Sequence, residues 1–177
     1  MSRPFVVGVS DAMTTSPQVE YLVNATRTDQ SIQKLASRLE RLFRDGEELR
    51  FEDGIENELS GQLYRLLMFH SAILIEALAA VIVAEQVNSR VAAEALRHLG
   101  RFVHPPTHLD RLWLLGRALT SSSPLERDGA ALGLAQLDDP AAIGYIKAAI
   151  DAETVGSLKE DLKQILEGLQ HTRECRS

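Results

Sequence analysis

The stretch ERDGAALGLAQLDDPAAIGYIKAAI, residues 126–150, decides the fold of this chain. Its alanines, leucines and isoleucines recur every three or four residues on both sides of one interruption, which is the spacing of two amphipathic helices. The interruption is Asp138-Asp139-Pro140, where an aspartate can cap the second helix and proline suits its first turn. We therefore predict one helix to about Leu137 and another to about Ala152.

The apolar pattern of this helix pair recurs along the chain. Matching positions lie 32 to 38 residues apart. The matches are Ala92, Leu96 and Leu99 with Ala130, Leu134 and Leu137; Leu109, Leu112 and Pro106 with Ile143, Ile146 and Pro140; Ile75 and Leu78 with Leu109 and Leu112; and Leu162, Leu166 and Leu169 with the first helix of the pair. Because one pair cannot bury its apolar stripe alone, such units stack on their neighbours.

Residues 126–150 resemble a HEAT repeat of the short bacterial type. The shared features are an Arg-Asp pair near the start of the first helix, alanines where helices cross, and an Asp-Pro turn. The resemblance covers 124–170 best, extends over 57–120 and does not include 1–56. It implies an all-α fold, an α-solenoid of HEAT-like antiparallel helix pairs, in which Asp128 would brace the turns. The motif specifies a fold and no chemistry, since such proteins serve unrelated functions.

The chain is expected to have four parts. They are an N-terminal flexible tail at 1–16, N-terminal helices with an acidic segment at 17–56, HEAT-like helical repeats at 57–170, and a frayed C-terminal tail at 171–177. Within the second part, one helix should run from Pro17 to about Thr26 and another from Asp29 or Ser31 to Gly46.

Charge and cysteine content restrict the function. A net charge of −6 argues against nucleic acid, whose binding requires clustered Lys and Arg. The single cysteine, Cys175, excludes an intrachain disulfide and a cysteine zinc site, which fits a reducing cytoplasm. The most apolar stretch, 66–84, contains Glu76, and a carboxylate is costly at mid-membrane. We therefore expect a buried central helix there, no membrane association and a cytoplasmic protein.

No pattern gathers catalytic or cofactor-binding groups. His104 and His108 have the spacing of a helical metal site, but two prolines separate them. Ser121 to Ser123 lack the surroundings of a nucleophile elbow, and no phosphate-binding glycine loop occurs. His70 and His98 are interpreted as boundary residues between core and solvent. We expect no enzyme activity, no cofactor and no bound metal.

Two surfaces are candidates for binding another protein. The first is an outward stripe on the second helix of each pair, obtained by taking Leu109 and Leu112 as buried. Its positions are Asp110, Arg111, Leu114 and Arg117, then Gly144, Tyr145, Ala148 and Asp151, and upstream Glu76, Ala77, Ala80 and Val83. Tyrosine and arginine are enriched at protein interfaces. The alternative is an ordinary solvated face.

The second candidate is the acidic segment 45–58, where seven carboxylates stand against Arg50 alone. Its binding candidates are Glu47, Glu48, Glu52 and Asp53, interleaved with Leu49, Phe51 and Ile55. Acid mixed with large apolar groups suits docking to a basic partner. The alternative is that the three apolar side chains pack back onto the first helices.

These features together predict a non-catalytic protein–protein interaction module that binds its partner through a helical-repeat surface. The alternative function is a bacterial immunity or antitoxin protein that neutralises a toxin by direct binding. A third candidate class is an enzyme subunit or lyase of the phycobilin type, because such proteins share the HEAT fold that this chain resembles. The apolar helix at 72–84 is a further surface through which two copies could form a homodimer.

Overall fold

The computed structural model describes residues 17–51, 56–84 and 87–176, with side chains for residues 28 to 175 of those ranges. This part of the chain contains eight α-helices and two 3-10 helices and no strand, which confirms the all-α prediction. The α-helices are α1 (Pro17–Gly46), α2 (Glu58–His70), α3 (Ala72–Val83), α4 (Ser89–Arg101), α5 (His108–Ala118), α6 (Pro124–Leu137), α7 (Ile143–Ala152) and α8 (Gly156–Arg176). The 3-10 helices are Pro105–Thr107 and Pro140–Ala142.

Helix α1 is one continuous helix, so the predicted break between Thr26 and Asp29 is wrong. The segment NATRTDQS, residues 24–31, is polar and contains neither glycine nor proline. Its residues are weaker helix formers, yet none of them removes a helical hydrogen bond, and the helix continues through them. The predicted start at Pro17 and end at Gly46 are confirmed. The tail predicted at 1–16 lies outside the described residues.

Helix α8 extends to Arg176, so the frayed tail predicted from residue 171 is also wrong. Leu169 is buried, and one turn later Thr172 donates a hydrogen bond from Oγ1 to Oδ1 of Asp138 at 2.8 Å. This bond ties the last turns of α8 to the C-terminal end of α6, where Asp138 is the capping residue. The sequence does not predict this bond, because Thr172 and Asp138 are 34 residues apart.

Hydrogen-bonded caps mark several helix ends, including the predicted turn at 138–140. Asn57 and Ser60 form a capping box at the start of α2. Asp138 adopts a left-handed conformation after α6, with φ 50°, and its N–H donates to Leu134 O. Asp139 accepts a hydrogen bond from Ala141 N and so caps the 3-10 turn before α7. Short polar residues therefore end and begin these helices as the sequence predicts.

Helices that are next-but-one in the chain pack against each other. Helix α4 contacts α2 and α6, α6 contacts α8, and α3 lies between α1 and α5. The buried leucines, isoleucines and alanines of these helices form one continuous core. Two layers result, one containing α2, α4, α6 and α8, and the other α1, α3 and α5, and α7 packs on α8 beside α5.

The contact between α4 and α6 is made by backbone against backbone. A Cβ atom added to Gly100 would lie 1.9 Å from Gly133 O, and one added to Gly129 would lie 2.3 Å from Ala93 O. A Cβ on Gly133 would lie 2.6 Å from Leu96 O. The three glycines therefore permit a helix crossing that no larger residue permits.

Helix α3 is buried on one face only, so the central burial expected for residues 72–84 is met in part. Its buried side chains include Leu74, Ile75 and Leu78, whereas Glu76 and Val83 are exposed on the opposite face. None of the helices in the described ranges combines the length and the apolar character that a bilayer crossing requires.

Candidate partner-binding face

The outward stripe predicted on the second helices is exposed for most of its members. The exposed members are Glu76, Ala80, Val83, Arg117, Gly144, Tyr145, Ala148 and Asp151. Asp110 is half-buried. Three members are wrong, since Ala77, Leu114 and Arg111 are buried. The outer surfaces of α3, α5 and α7 therefore form a mixed polar and apolar face, which we call the outer face.

The error on α5 is a register shift of one residue. Both α5 and α7 follow a 3-10 turn that begins with proline, at Pro105 and Pro140 respectively. The structural offset is thus 35, whereas the sequence alignment used Pro106 and an offset of 34. At the correct offset Arg111 takes the place of Ile146, and both are buried.

The register shift moves two large apolar residues onto the outer face. Leu109, expected in the core, is 73% exposed, and Trp113 is 51% exposed. Leu112 is buried as expected, and the other buried residues of α5 are Arg111, Leu114, Leu115, Gly116 and Ala118. Trp113 is the only tryptophan of the chain and was missed. The sequence does contain a signal for the exposure of Trp113. If the adjacent Leu114 and Leu115 both face the core, Trp113 lies at the edge of the buried side and is partly exposed.

Arg111 is a structural residue and not a contact for a partner. Its side chain is 2% exposed and lies at the C-terminal end of α4. Nη1 donates to Leu99 O and to Phe102 O, both at 2.6 Å, and Nη2 donates to His104 O at 3.4 Å. Burial lowers the pKa of Arg111 from its usual value. The guanidinium satisfies carbonyls that α4 leaves open and lies at the negative end of the helix dipole.

A cleft of about 370 Å³ opens between α5 and α7. Gly116 faces the ring of Tyr145 there, since an added Cβ would lie 2.6 Å from its Cδ1. The rest of the lining is mainly small and apolar, together with Thr120 and Ser121 at one end. Trp113 lies one turn before Gly116 on α5. The cleft is therefore part of the outer face.

The far wall of the cleft is a buried ion pair between Arg127 and Glu153. Arg127 Nε and Nη2 donate to the Glu153 carboxylate at 2.7 and 2.8 Å. Nη1 of the same residue donates to Ser121 O at 3.0 Å and Ser122 O at 3.2 Å. The Arg127 hydrogen bonds, with backbone bonds from Thr154 and Val155, lower the pKa of Glu153 to about 2 although burial opposes the shift. The hydrogen-bonding groups of this ion pair are therefore already occupied within the protein.

Asp128, expected to brace the turns, has its Oδ2 at 3.7 Å from Arg97 Nη2 on the neighbouring α4. Arg127, its neighbour in the Arg-Asp pair, makes the hydrogen bonds to the Ser121–Ser122 loop. Asp128 therefore contacts the neighbouring helix α4, whereas Arg127 holds the turn between α5 and α6.

The acidic segment is held against the core by Leu49 and Phe51 in its described part. Leu49 and Phe51 pack on the core, as the alternative interpretation predicts. Arg90 donates to Glu47 O at 2.6 Å and Leu49 O at 3.0 Å, and its guanidinium lies 5.1 Å from the Phe51 ring centroid. The carboxylates of Glu47 and Glu48 are on exposed residues. Glu52, Asp53 and Ile55 lie outside the described residues.

The histidines do not converge on a common site. His104 Nδ1 is 2.9 Å from Thr107 Oγ1, and His108 Nε2 is 2.6 Å from Asp139 Oδ2. Within the described ranges, no three or more His, Cys, Asp or Glu residues are grouped as metal ligands. His70 is half-buried, as a boundary residue should be, but His98 is buried and its assignment to the boundary is wrong. Its ring is held by Glu94 on the same helix.

Comparison with known proteins does not add a functional assignment, because no family model, no curated protein and no solved structure matches the chain.

Proposed function

We propose that this protein is a HEAT-like α-solenoid that binds another protein, without catalysis, through its outer face. The contacts between next-but-one helices support the solenoid, since stacked helix pairs bury their apolar stripes on the neighbouring pair. The exposed face of three successive second helices is then the continuous surface that such a stack offers to a partner.

The exposure of Trp113 and Leu109 carries this proposal. Both are large apolar residues on α5, which is the middle helix of the outer face. Tryptophan contributes more to protein interfaces than its frequency suggests, and hot spots lie near the interface centre. Burial of Trp113 by a partner would remove a large apolar surface from water, with a stabilisation of roughly 2 kcal/mol.

The charged residues around Trp113 fit the polar rim of an interface. Asp110 and Arg117 flank it on α5, with Glu76 on α3 and Asp151 on α7. Both signs of charge are present, so the face selects a partner by matching individual charges rather than by net charge. The cleft beside Tyr145 provides a recess for one apolar side chain of that partner.

A comparison of two exposed aromatic residues tests the proposal. Wild-type protein, Trp113→Ala and Phe69→Ala are used as bait in extracts of the source cell, and the recovered partner is titrated against each. Phe69 is the matched control because it is 84% exposed but lies on α2, outside the outer face. We expect Trp113→Ala to weaken binding at least tenfold, the loss typical of a hot spot, and Phe69→Ala to leave it unchanged. Equal binding by wild type and Trp113→Ala would refute the outer face as the binding site.

A further inference from the structure

A groove lies on the other layer, between α2 and the C-terminal end of α4. The groove has a volume of about 500 Å³ and is lined by Ser60, Gly61 and Tyr64 of α2, by His98, Arg101 and Phe102 of α4 and its cap, and by Glu56 and Val103. This volume is within the range of small-molecule sites.

A histidine oriented by a carboxylate lines this groove. His98 is 3% exposed, and its Nε2 is 2.9 Å from Oε1 of Glu94, one turn earlier on α4. A carboxylate only accepts hydrogen bonds, so Nε2 carries the proton in this pair. The other ring nitrogen, Nδ1, has no hydrogen-bond partner among the described residues.

Other residues hold Glu94 in position. Asn57 donates from Nδ2 to Oε1 of Glu94 at 3.2 Å, and Arg97 Nη1 is 3.5 Å from Oε2. Asn57 is itself fixed, because its Oδ1 accepts from Ser60 N in the capping box of α2. The carboxylate that orients His98 is therefore fixed by both helices that form the groove.

His98 is a neutral hydrogen-bond acceptor toward the groove. Burial lowers the pKa of the imidazole; Glu94 opposes this shift, and the charges of Arg101 and Arg97 add to it. In a neutral ring with the proton on Nε2, Nδ1 presents a lone pair. His98 lines the groove, and because its Nε2 is engaged with Glu94, Nδ1 is the ring nitrogen left for a molecule bound there.

The walls of the groove are aromatic. The rings of Tyr64 and Phe102 have centroids 5.4 Å apart and planes tilted by 59°. The Phe102 ring is also nearly parallel to the imidazole of His98, at 6.4 Å. Tyr64 and Val103 are exposed, so water covers apolar surface that a flat ring would bury.

From this arrangement we infer that the groove binds a small planar aromatic molecule that carries an N–H or O–H donor, with the donor directed at Nδ1 of His98 and the ring packed against Tyr64 and Phe102. A ring without a donor would leave the acceptor of His98 unsatisfied on burial, which penalises its binding. The inference is separate from the outer face, because it uses none of the residues of α5 or α7.

The test uses indole and 1-methylindole, which differ by the N–H donor. Each is titrated into the full-length protein while the ring nitrogens of His98 are followed by ¹⁵N NMR. We expect indole to bind saturably at His98, with an affinity about fivefold higher than that of 1-methylindole, the value of one hydrogen bond. Equal affinities would overturn the role of Nδ1. Absence of saturable shifts with indole up to about 10 mM, weaker than the affinity range of specific small ligands, would overturn the site.

Two tyrosine variants locate the binding without disturbing the core. Tyr64→Ala removes one wall of the groove, and Tyr145→Ala removes the equivalent exposed ring from the cleft between α5 and α7. We expect Tyr64→Ala to weaken indole binding at least threefold, because it removes one aromatic contact, and Tyr145→Ala to leave it unchanged. The opposite result would place the indole in the cleft and refute the groove.

Discussion

Glycine has opposite effects in the two layers of this molecule. Between α4 and α6, Gly100, Gly129 and Gly133 bring backbone atoms into contact and leave no space. Between α5 and α7, Gly116 faces the Tyr145 ring beside a cleft of about 370 Å³. The first contact fixes the positions of two helices, whereas the second leaves a recess at the surface. The difference shows that the same residue type closes one helix contact and leaves a recess beside another.

The largest expected effect is from Gly133→Leu in the closed contact. A side chain there meets the backbone at Leu96 and cannot be accommodated by a rotamer change. We expect a loss of about 4 kcal/mol or more in the free energy of unfolding, above the usual cost of overpacking, or failure to fold. Denaturant melts measure it.

Two alanine substitutions serve as its controls. Gly61→Ala lies in α2, where an added Cβ meets nothing within 4 Å, and should stabilise the protein by roughly 0.5–1 kcal/mol. Gly116→Ala meets only the side chain of Tyr145, which is partly exposed and can move, so we expect a cost of about 1 kcal/mol. A cost at Gly116 equal to that at Gly133 would contradict the contrast between the layers.

The next prediction compares the loss of stability on truncating buried aliphatic residues in the two layers. Leu134 on α6 and Ile146 on α7 are both fully buried. We expect Leu134→Ala and Ile146→Ala to cost about 2–5 kcal/mol each, with Leu134 at the upper end because the closed layer cannot collapse around the cavity. Leu125→Ala, at an exposed position of α6, is the control. A cost below 0.5 kcal/mol at either buried site would show that its burial is wrong.

Arg111 connects the layers, since it is on α5 and caps α4. Arg111→Met retains the volume but leaves the Leu99 and Phe102 carbonyls without their donor. We expect a loss of about 2–3 kcal/mol, the cost of unsatisfied buried acceptors. Arg117→Met on the exposed side of the same helix should change stability by less than about 0.5 kcal/mol. Equal effects of the two variants would contradict the capping role.

The smallest effect is the pH dependence of the ion pair behind the cleft. The pKa of Glu153 is about 2 in the folded protein against 4.5 for an ordinary glutamate. A depressed pKa stabilises the folded state above pH 4.5, and this contribution is lost as the pH falls toward 2. We expect Glu153→Gln to be less stable than wild type at pH 7, by on the order of 2 kcal/mol, and the difference to shrink below pH 4.

Glu160→Gln is the control for that pH dependence. Glu160 forms an exposed pair with Lys163, and such pairs contribute less than about 1 kcal/mol. Its difference from wild type should stay below about 1 kcal/mol at every pH between 7 and 3. If the Glu153→Gln difference is constant over that range, the ion pair with Arg127 does not supply the stability assigned to it.

The sequence predicted the helices well because their ends are marked by particular residues. Pro17 begins α1, Gly46 ends it, and Asp139 caps the turn before α7, as the sequence predicts. The wrong helix boundaries fall where no such residue is present. The segment 24–31 has no breaker, and the end of α8 depends on a distant bond to Asp138.

The exposed positions of the outer face were predicted in part, but its large apolar residues were not. Helical spacing placed Glu76, Arg117 and Tyr145 correctly on the surface. The sequence match at Pro106, rather than Pro105, misaligns α5 by one residue. It therefore predicts a buried Leu109 and an exposed Arg111, which is the reverse of the structure. The groove at His98 could not be predicted, because Glu94 and Asn57 are 37 residues apart and meet only through packing of α2 on α4.

The segment Ser121-Ser122-Ser123 would ordinarily be chosen as a site for protease cleavage, since exposed serine-rich connections are flexible in most proteins. Here the carbonyls of Ser121 and Ser122 are both held by Arg127, which is fixed in turn by Glu153. A protease must extend a loop to cut it, and extension would break these bonds. The connection between α5 and α6 should therefore resist limited digestion at neutral pH, and cleavage there would report the opening of the Arg127–Glu153 pair.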